Sequence, residues 1–239
     1  MMQRTLIPLL SLTLVLLVAC QPNNSDNTNT TADSINDSLD LPDREYNIRA
    51  TIFEIDQNNS YASYYADELF LEDSAVVIGR NTNEGEFTAV GTTRAVRGEL
   101  ALDLTADPPI VLGGDFAVNL VSLRTNQPHR DDMIRRHWLE SELYPVARFT
   151  ITEPPEISAD YIAGEPTTFI LKGELTVRDQ VVPAEFVTEA TLQDDILTGE
   201  GIATLEMTDF GFEPPSLSRV VTVENEFRLG IRIRAEAQE

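Results

Sequence analysis

Arg130 and Asp131 are adjacent charged residues whose side chains could recognise a polar ligand group. A guanidinium donates paired hydrogen bonds to a phosphate or a carboxylate, and it also binds a hydroxyl. Arg130 could therefore receive the pyrophosphate or hydroxyl end of a ligand. Alternatively, the two residues could pair with each other, or they could form a structural ion pair that fixes the loop before a helix. The sequence leaves these alternatives open.

Other residue types with catalytic or metal-binding chemistry are sparse. His129 and His137 lie eight positions apart, no Cys lies near them, and Cys20 is the only cysteine. These residues predict neither a disulfide framework nor a metal site. A nucleophile elbow, a phosphate-binding glycine loop and a His-Glu-x-x-His motif are all missing from the sequence. We therefore predict a protein that is not an enzyme and that needs no cofactor.

The charge balance excludes further classes of function. The chain has 17 Lys and Arg against 40 Asp and Glu, which gives a formal net charge of −23. Such a chain cannot neutralise a run of phosphates, so a general nucleic-acid binder is excluded. The same charge disfavours electrostatic docking on an anionic bilayer. The hydrophobic fraction of 42% is enough to build a core, so global disorder is excluded.

The first residues have the pattern of an export signal. Arg4 precedes an apolar run over residues 6–19, which is short for a membrane span and typical of a signal peptide. Residues 17–20, Leu-Val-Ala-Cys, resemble the bacterial lipobox, and this resemblance implies lipidation of Cys20 and cleavage before it. An ordinary secretory signal with a chance cysteine is the alternative. We predict a membrane-anchored lipoprotein with its domain on the periplasmic or extracellular side.

Three segments follow from this pattern: a signal peptide over residues 1–19, the lipidated Cys20 with a polar tether to residue 45, and a folded domain over residues 46–239. The tether is rich in Asn, Asp, Ser and Thr, so it buries too little to offset the entropy of ordering. From Tyr46 onward, apolar residues recur at every second position, as in a sheet with one buried and one wetted face. The exception is residues 130–142, which predict one short helix with apolar residues on one face. That helix could be a lid across a barrel end or a connector that seals the core.

Three motifs in this domain are similar to those of the YceI-like, polyisoprenoid-binding family. The central motif combines residues 121–125, Arg130-Asp131 and residues 144–149; the second is residues 172–178 with Val182-Pro183; the third is residues 208–212. Residues 53–56 with Ser60 resemble the first strand of that family. The resemblance covers about residues 46–236.

The resemblance implies an all-β, eight-stranded antiparallel lipocalin-like barrel that holds an isoprenoid or another long-chain amphiphilic lipid. Eight strands leave an interior that is filled by side chains or holds one small ligand. Inward aromatic residues would line an apolar tunnel, with charged residues at its mouth. The predicted ligand-binding residues are Phe116, Val118, Leu120, Arg130, Asp131, Trp138, Phe149, Phe169, Leu171, Phe186, Leu205, Phe210, Phe227 and Leu229.

Three hypotheses about function remain. The first is a tethered binder or carrier of isoprenoid or fatty lipids. The second is a structural or interaction module of the cell envelope, with a filled barrel and an acidic outer face that meets a partner. The third is a hydrolase or isomerase that uses a pair of carboxylates on a barrel scaffold. We favour the first because the resemblance implies it, which is an argument from fold.

Overall fold

A computed structural model describes residues 39–46, 49–71, 85–217 and 220–238. The predicted signal peptide, Cys20 and most of the predicted tether lie outside these ranges. Within them, no helix has the length and apolar character that crossing a membrane requires.

Strands make up most of the described chain. They are β1 (Ala50–Ile55), β2 (Tyr61–Phe70), β3 (Gly85–Thr93), β4 (Val96–Asp103), β5 (Ile110–Asn119), β6 (Val146–Glu153), β7 (Thr167–Val177), β8 (Gln180–Gln193), β9 (Ile196–Glu206), β10 (Ser216–Leu217) and β11 (Val221–Ala237). The helix α1 (Pro128–Met133) continues into a π-helical turn (Ile134–Trp138), and short 3₁₀ turns lie at Gln57–Asn59 and Met207–Phe210.

The strands close into a barrel. Neighbours in the sheet follow the order β1-β4-β5-β6-β7-β8-β9-β11, and β11 pairs with β1, which completes a ring of eight antiparallel strands. β2 continues from β1 and pairs with both β11 and β3. Closure gives each of these eight strands a neighbour on both sides, so none of them has a free edge. The predicted eight-stranded antiparallel barrel is therefore confirmed.

The alternation of residues decides which side chains enter the barrel. Leu229 and Ile231 of β11 face inward, whereas Arg228 and Arg232 face solvent. Two-residue periodicity follows from the pleat of a strand, so one register fixes the whole inward set. The inward residues form one continuous apolar core that reaches from β1 to β11.

The predicted helix is present, with slightly different boundaries. It begins at Pro128, two residues before the predicted range of 130–142, because proline suits the first helical turn, where its missing N–H is not needed. It ends at Trp138, since Glu140 soon afterwards has a φ of +45°, a left-handed conformation that a right-handed helix cannot contain.

Residues 39–46 lie against the outer wall of the barrel, and we call this segment the strap. Leu39 is 1% exposed, and the carbonyl oxygen of Asp40 accepts a hydrogen bond of 2.6 Å from Arg148. Arg44 pairs with the buried Asp115 at 2.5 Å. The predicted mobile tether extended to residue 45, so its last part is instead packed on the domain. The burial of Leu39 and the ion pairs of Asp40 and Arg44 account for this difference.

Candidate ligand-binding cavity

An apolar cavity of about 220 Å³ lies inside the barrel. Inward residues of β2, of β4 to β9 and of β11 line it, together with residues from the connections at both ends of the barrel. An apolar cavity of about 150 Å³ is known to stay dry and to bind benzene. The space here is therefore large enough for part of an apolar ligand.

Small inward residues on two neighbouring strands create this space. Ala190 of β8 pairs with Gly199 of β9, and Thr188 pairs with Gly201, and all four residues line the cavity. The aromatic residues fill the barrel elsewhere: the rings of Phe149 and Phe186 meet edge to face at 4.8 Å between centroids. The cavity thus persists where β8 and β9 lack bulky side chains.

The cavity brings together ten of the fourteen predicted residues. These are Phe116, Val118, Leu120, Phe149, Phe169, Leu171, Phe186, Phe210, Phe227 and Leu229. The other four, Leu205, Trp138, Arg130 and Asp131, are not among the residues that line it. Leu205 faces inward but is packed in the core, and the indole N–H of Trp138 donates to the carbonyl oxygen of Glu213 at 3.2 Å.

Arg130 and Asp131 do not pair with each other. Arg130 donates to the carboxylate of Glu68 on β2 at 2.8 Å, and both side chains are largely buried. Asp131 is 6% exposed and accepts hydrogen bonds from the backbone N–H and the hydroxyl of Thr125, at 2.8 and 2.7 Å. Asp131 therefore fixes the loop before the helix through hydrogen bonds, whereas the predicted alternative was an ion pair. Arg130 is held by a carboxylate 62 positions away in the sequence.

Burial changes the pKa of Glu68 in this ion pair and of Tyr64 beside it. Burial raises the pKa of the Glu68 carboxyl, and the positive charge of Arg130 partly opposes the increase. Burial also raises the pKa of the Tyr64 hydroxyl well above its usual value. Both changes follow from desolvation, which disfavours the charged form.

Tyr64 also lines the cavity, although it was not among the predicted ligand-binding residues. Its ring lies over Gly91 of β3, where an added Cβ would come within 2.1 Å of a ring carbon. Glycine at this position therefore makes room for the aromatic ring. Tyr64 alternates with outward residues in the same way as the inward Ala62 and Ala66, and this spacing could have identified it. The adjacent Tyr65 obscures the alternation.

Charged side chains are almost absent from the wall of the cavity. Arg148 and Glu200 are the two charged residues that contribute to the lining. Both occupy outward positions: Arg148 donates to Asp40 of the strap, and Glu200 pairs with Arg232 at 2.5 Å. Across the described residues, no three His, Cys, Asp or Glu side chains are grouped so that they could hold a metal ion. The arrangement is suited to apolar contact.

A closed antiparallel barrel of eight strands around an apolar cavity has the lipocalin-like architecture. The family model of the YceI-like domain matches residues 46–235, which is most of the chain. The chain therefore belongs to the YceI-like family. No match to a curated protein was found.

Solved structures share this fold at low sequence identity. A polyisoprenoid binding domain from Saccharophagus degradans, implicated in plant cell wall breakdown, is 11% identical with a TM-score of 0.56, over 78% of this chain and 98% of that one. BcnA of Burkholderia cenocepacia is 14% identical with a TM-score of 0.51, over 75% and 98%. A YceI protein of Campylobacter jejuni is 16% identical with a TM-score of 0.50, over 62% and 85%. These similarities concern the fold.

Proposed function

We propose that this chain binds an isoprenoid or a similar long-chain amphiphilic lipid in the cavity of its barrel. The observation that carries the proposal is the void itself, since inward aromatic and aliphatic side chains surround space that they do not fill. Burial of hydrocarbon contributes about 0.8 kcal/mol per CH₂. A chain of several carbons therefore gains affinity here without a charged partner. The polyisoprenoid binding described for the Saccharophagus degradans domain supports the same ligand class.

Native mass spectrometry of the purified full chain tests this proposal. We expect the native spectrum to contain an additional mass in the range of a lipid, which denaturing conditions release. Any covalently attached lipid stays on the denatured chain, so the comparison separates bound ligand from anchor. If every preparation is free of ligand, and added lipids do not bind, the proposal is wrong, and a structural module of the envelope becomes the better interpretation.

We further propose that the protein is exported and anchored to a membrane through a lipidated Cys20. The support is the sequence: Cys20 directly follows an apolar segment of signal-peptide type and ends a lipobox-like tetrapeptide. More than one acyl chain makes such an anchor stable. The test replaces the cysteine by Cys20→Ser and follows the protein in membrane and soluble fractions. We expect the variant to lose the added lipid mass and to leave the membrane fraction. Unchanged mass and unchanged fractionation would overturn this proposal.

A further inference from the structure

One end of the cavity is more open than the other. Along β7, the inward residues Leu175 and Val177 near the helix are buried, whereas Phe169 and Leu171 toward the opposite end are only half-buried. Because all four line the cavity, this gradient indicates access to solvent at the end opposite the helix. We call this end the open end.

Three connections surround the open end: residues 104–109, 154–166 and 194–195. Pro109, Ile157 and Tyr161 of these connections also line the cavity, so the rim of the open end and the cavity are continuous. A ligand that enters or protrudes here must pass these residues.

The rim carries negative charge. Its acidic residues, all exposed, are Asp107, Glu156, Asp160, Glu165, Asp194 and Asp195. The three connections contain no Lys, Arg or His. Arg49, directly before β1, lies at the same end, and its charge acts on Asp103. The six carboxylates outnumber this one arginine, so a negatively charged headgroup at the rim would be repelled. The net charge of −23 for the whole chain acts in the same direction.

At the helix end of the barrel, the two partly buried arginines beside the helix are already paired. Arg130 is paired with Glu68, and Arg178 is paired with Glu140 at 2.8 Å while its guanidinium lies over the ring of Tyr144. Binding an anionic group with either arginine would require breaking a partly buried ion pair, which is costly. Neither of these two arginines is therefore free to hold a phosphate.

We propose that the cavity selects amphiphiles whose polar end is uncharged and rejects phosphorylated ones. This inference rests on the proposed function, because it assumes that a lipid occupies the barrel. The apolar wall binds the hydrocarbon, and the acidic rim of the open end decides which headgroup is accepted. An alcohol, ketone or ester remains at the rim, where it is hydrated without charge repulsion.

Calorimetric titration of the lipid-stripped full chain with three probes tests the inference. Farnesene, farnesol and farnesyl diphosphate share one isoprenoid chain length and differ in the polar end. At low salt we expect farnesol to bind at least about 10-fold more tightly than farnesyl diphosphate. Screening shortens the reach of the rim charges to about 8 Å at 0.15 M salt and to about 3 Å at 1 M. The gap should therefore narrow several-fold as salt is raised.

Neutralising the rim is the matched structural test. The variant Asp160→Asn/Asp194→Asn/Asp195→Asn should bind farnesyl diphosphate several-fold more tightly and farnesol unchanged. The control Glu174→Gln/Glu189→Gln removes exposed charges from the outer wall and should leave the ratio between the two probes unchanged.

The outcomes separate this inference from the proposed function. If farnesyl diphosphate binds as tightly as farnesol, or weakens when salt is raised, the barrel contains a cationic headgroup site and the inference is wrong, while lipid binding stands. If rim and wall variants change the ratio equally, the rim does not select and the inference is also overturned. If none of the three probes binds, the proposed function fails with it.

Discussion

The substitution Ala190→Phe should fill the cavity from within. Ala190 faces inward on β8, lines the cavity and is paired on either side with Thr167 and Gly199, which also line it. Its small neighbours leave space in front of an added ring. The new side chain should therefore point into the volume that a ligand would occupy.

The magnitude follows from the carbon atoms that the ring replaces. A phenyl ring brings about six carbons, and each displaced CH₂ of a ligand forfeits about 0.8 kcal/mol, so the affinity should fall by about 5 kcal/mol. This corresponds to between about three and four orders of magnitude in Kd. Burial of the ring itself stabilises the fold by about 2 kcal/mol, and overpacking costs about 1 to 3 kcal/mol. Stability should thus change little.

The assay is calorimetric titration with farnesol, combined with chemical denaturation of each variant. Glu189→Phe is the matched control, because it adds the same ring at the neighbouring, exposed position on the outer face. We expect wild-type affinity for the control and no measurable binding for Ala190→Phe. If Ala190→Phe folds and binds farnesol with unchanged affinity, the ligand does not occupy this cavity.

Two further predictions concern the outer wall. Arg44→Ala leaves the 2%-exposed carboxylate of Asp115 without its ionic partner, so the free energy of unfolding should fall by about 2 kcal/mol. The control Arg97→Ala removes an exposed pair with Asp40 at 3.4 Å and should change this free energy by less than about 0.5 kcal/mol. If urea denaturation shows that both variants lose the same free energy of unfolding, the strap is not packed as described. Glu99 lies directly opposite Glu54 and Asp115 on the neighbouring strands, and its pKa is raised by burial and by these like charges. Above this raised pKa, the ionised Glu99 carboxylate therefore destabilises the fold. As the pH falls through the raised pKa, the carboxyl is protonated and the destabilisation disappears. Glu99→Gln should be more stable by a few tenths of a kcal/mol at pH 7, with no gain below about pH 4; a gain that grows in acid would contradict this sign.

The barrel wall could be predicted from the sequence because the pleat of a strand makes every second residue face inward. Phe169, Leu171 and Phe186 were placed in the interior by parity alone, and the cavity brings them together. The alternation of residues along a strand does not predict which part of the interior is empty. Leu205 has the correct parity but is packed in the core, since the void depends on Gly199 and Gly201 on its own strand.

Contacts between distant segments were beyond sequence analysis. The partner of Arg130 is Glu68, on a strand that only the closed barrel brings beside the helix. Trp138 was predicted to bind the ligand, but the chain turns at the left-handed Glu140 and the indole donates to a loop carbonyl. Leu39 belongs to a polar segment whose composition predicts mobility, but its side chain is buried and nearby ion pairs hold the segment on the barrel.

The most direct test of lipid binding is an experimental density map of the barrel of protein purified with its natural contents. We expect elongated density along the barrel axis, in contact with Phe116 and Phe169 and bordered by Gly199 and Gly201, with its polar end at the acidic rim. Inward side chains that meet across the axis with no space between them would contradict this expectation.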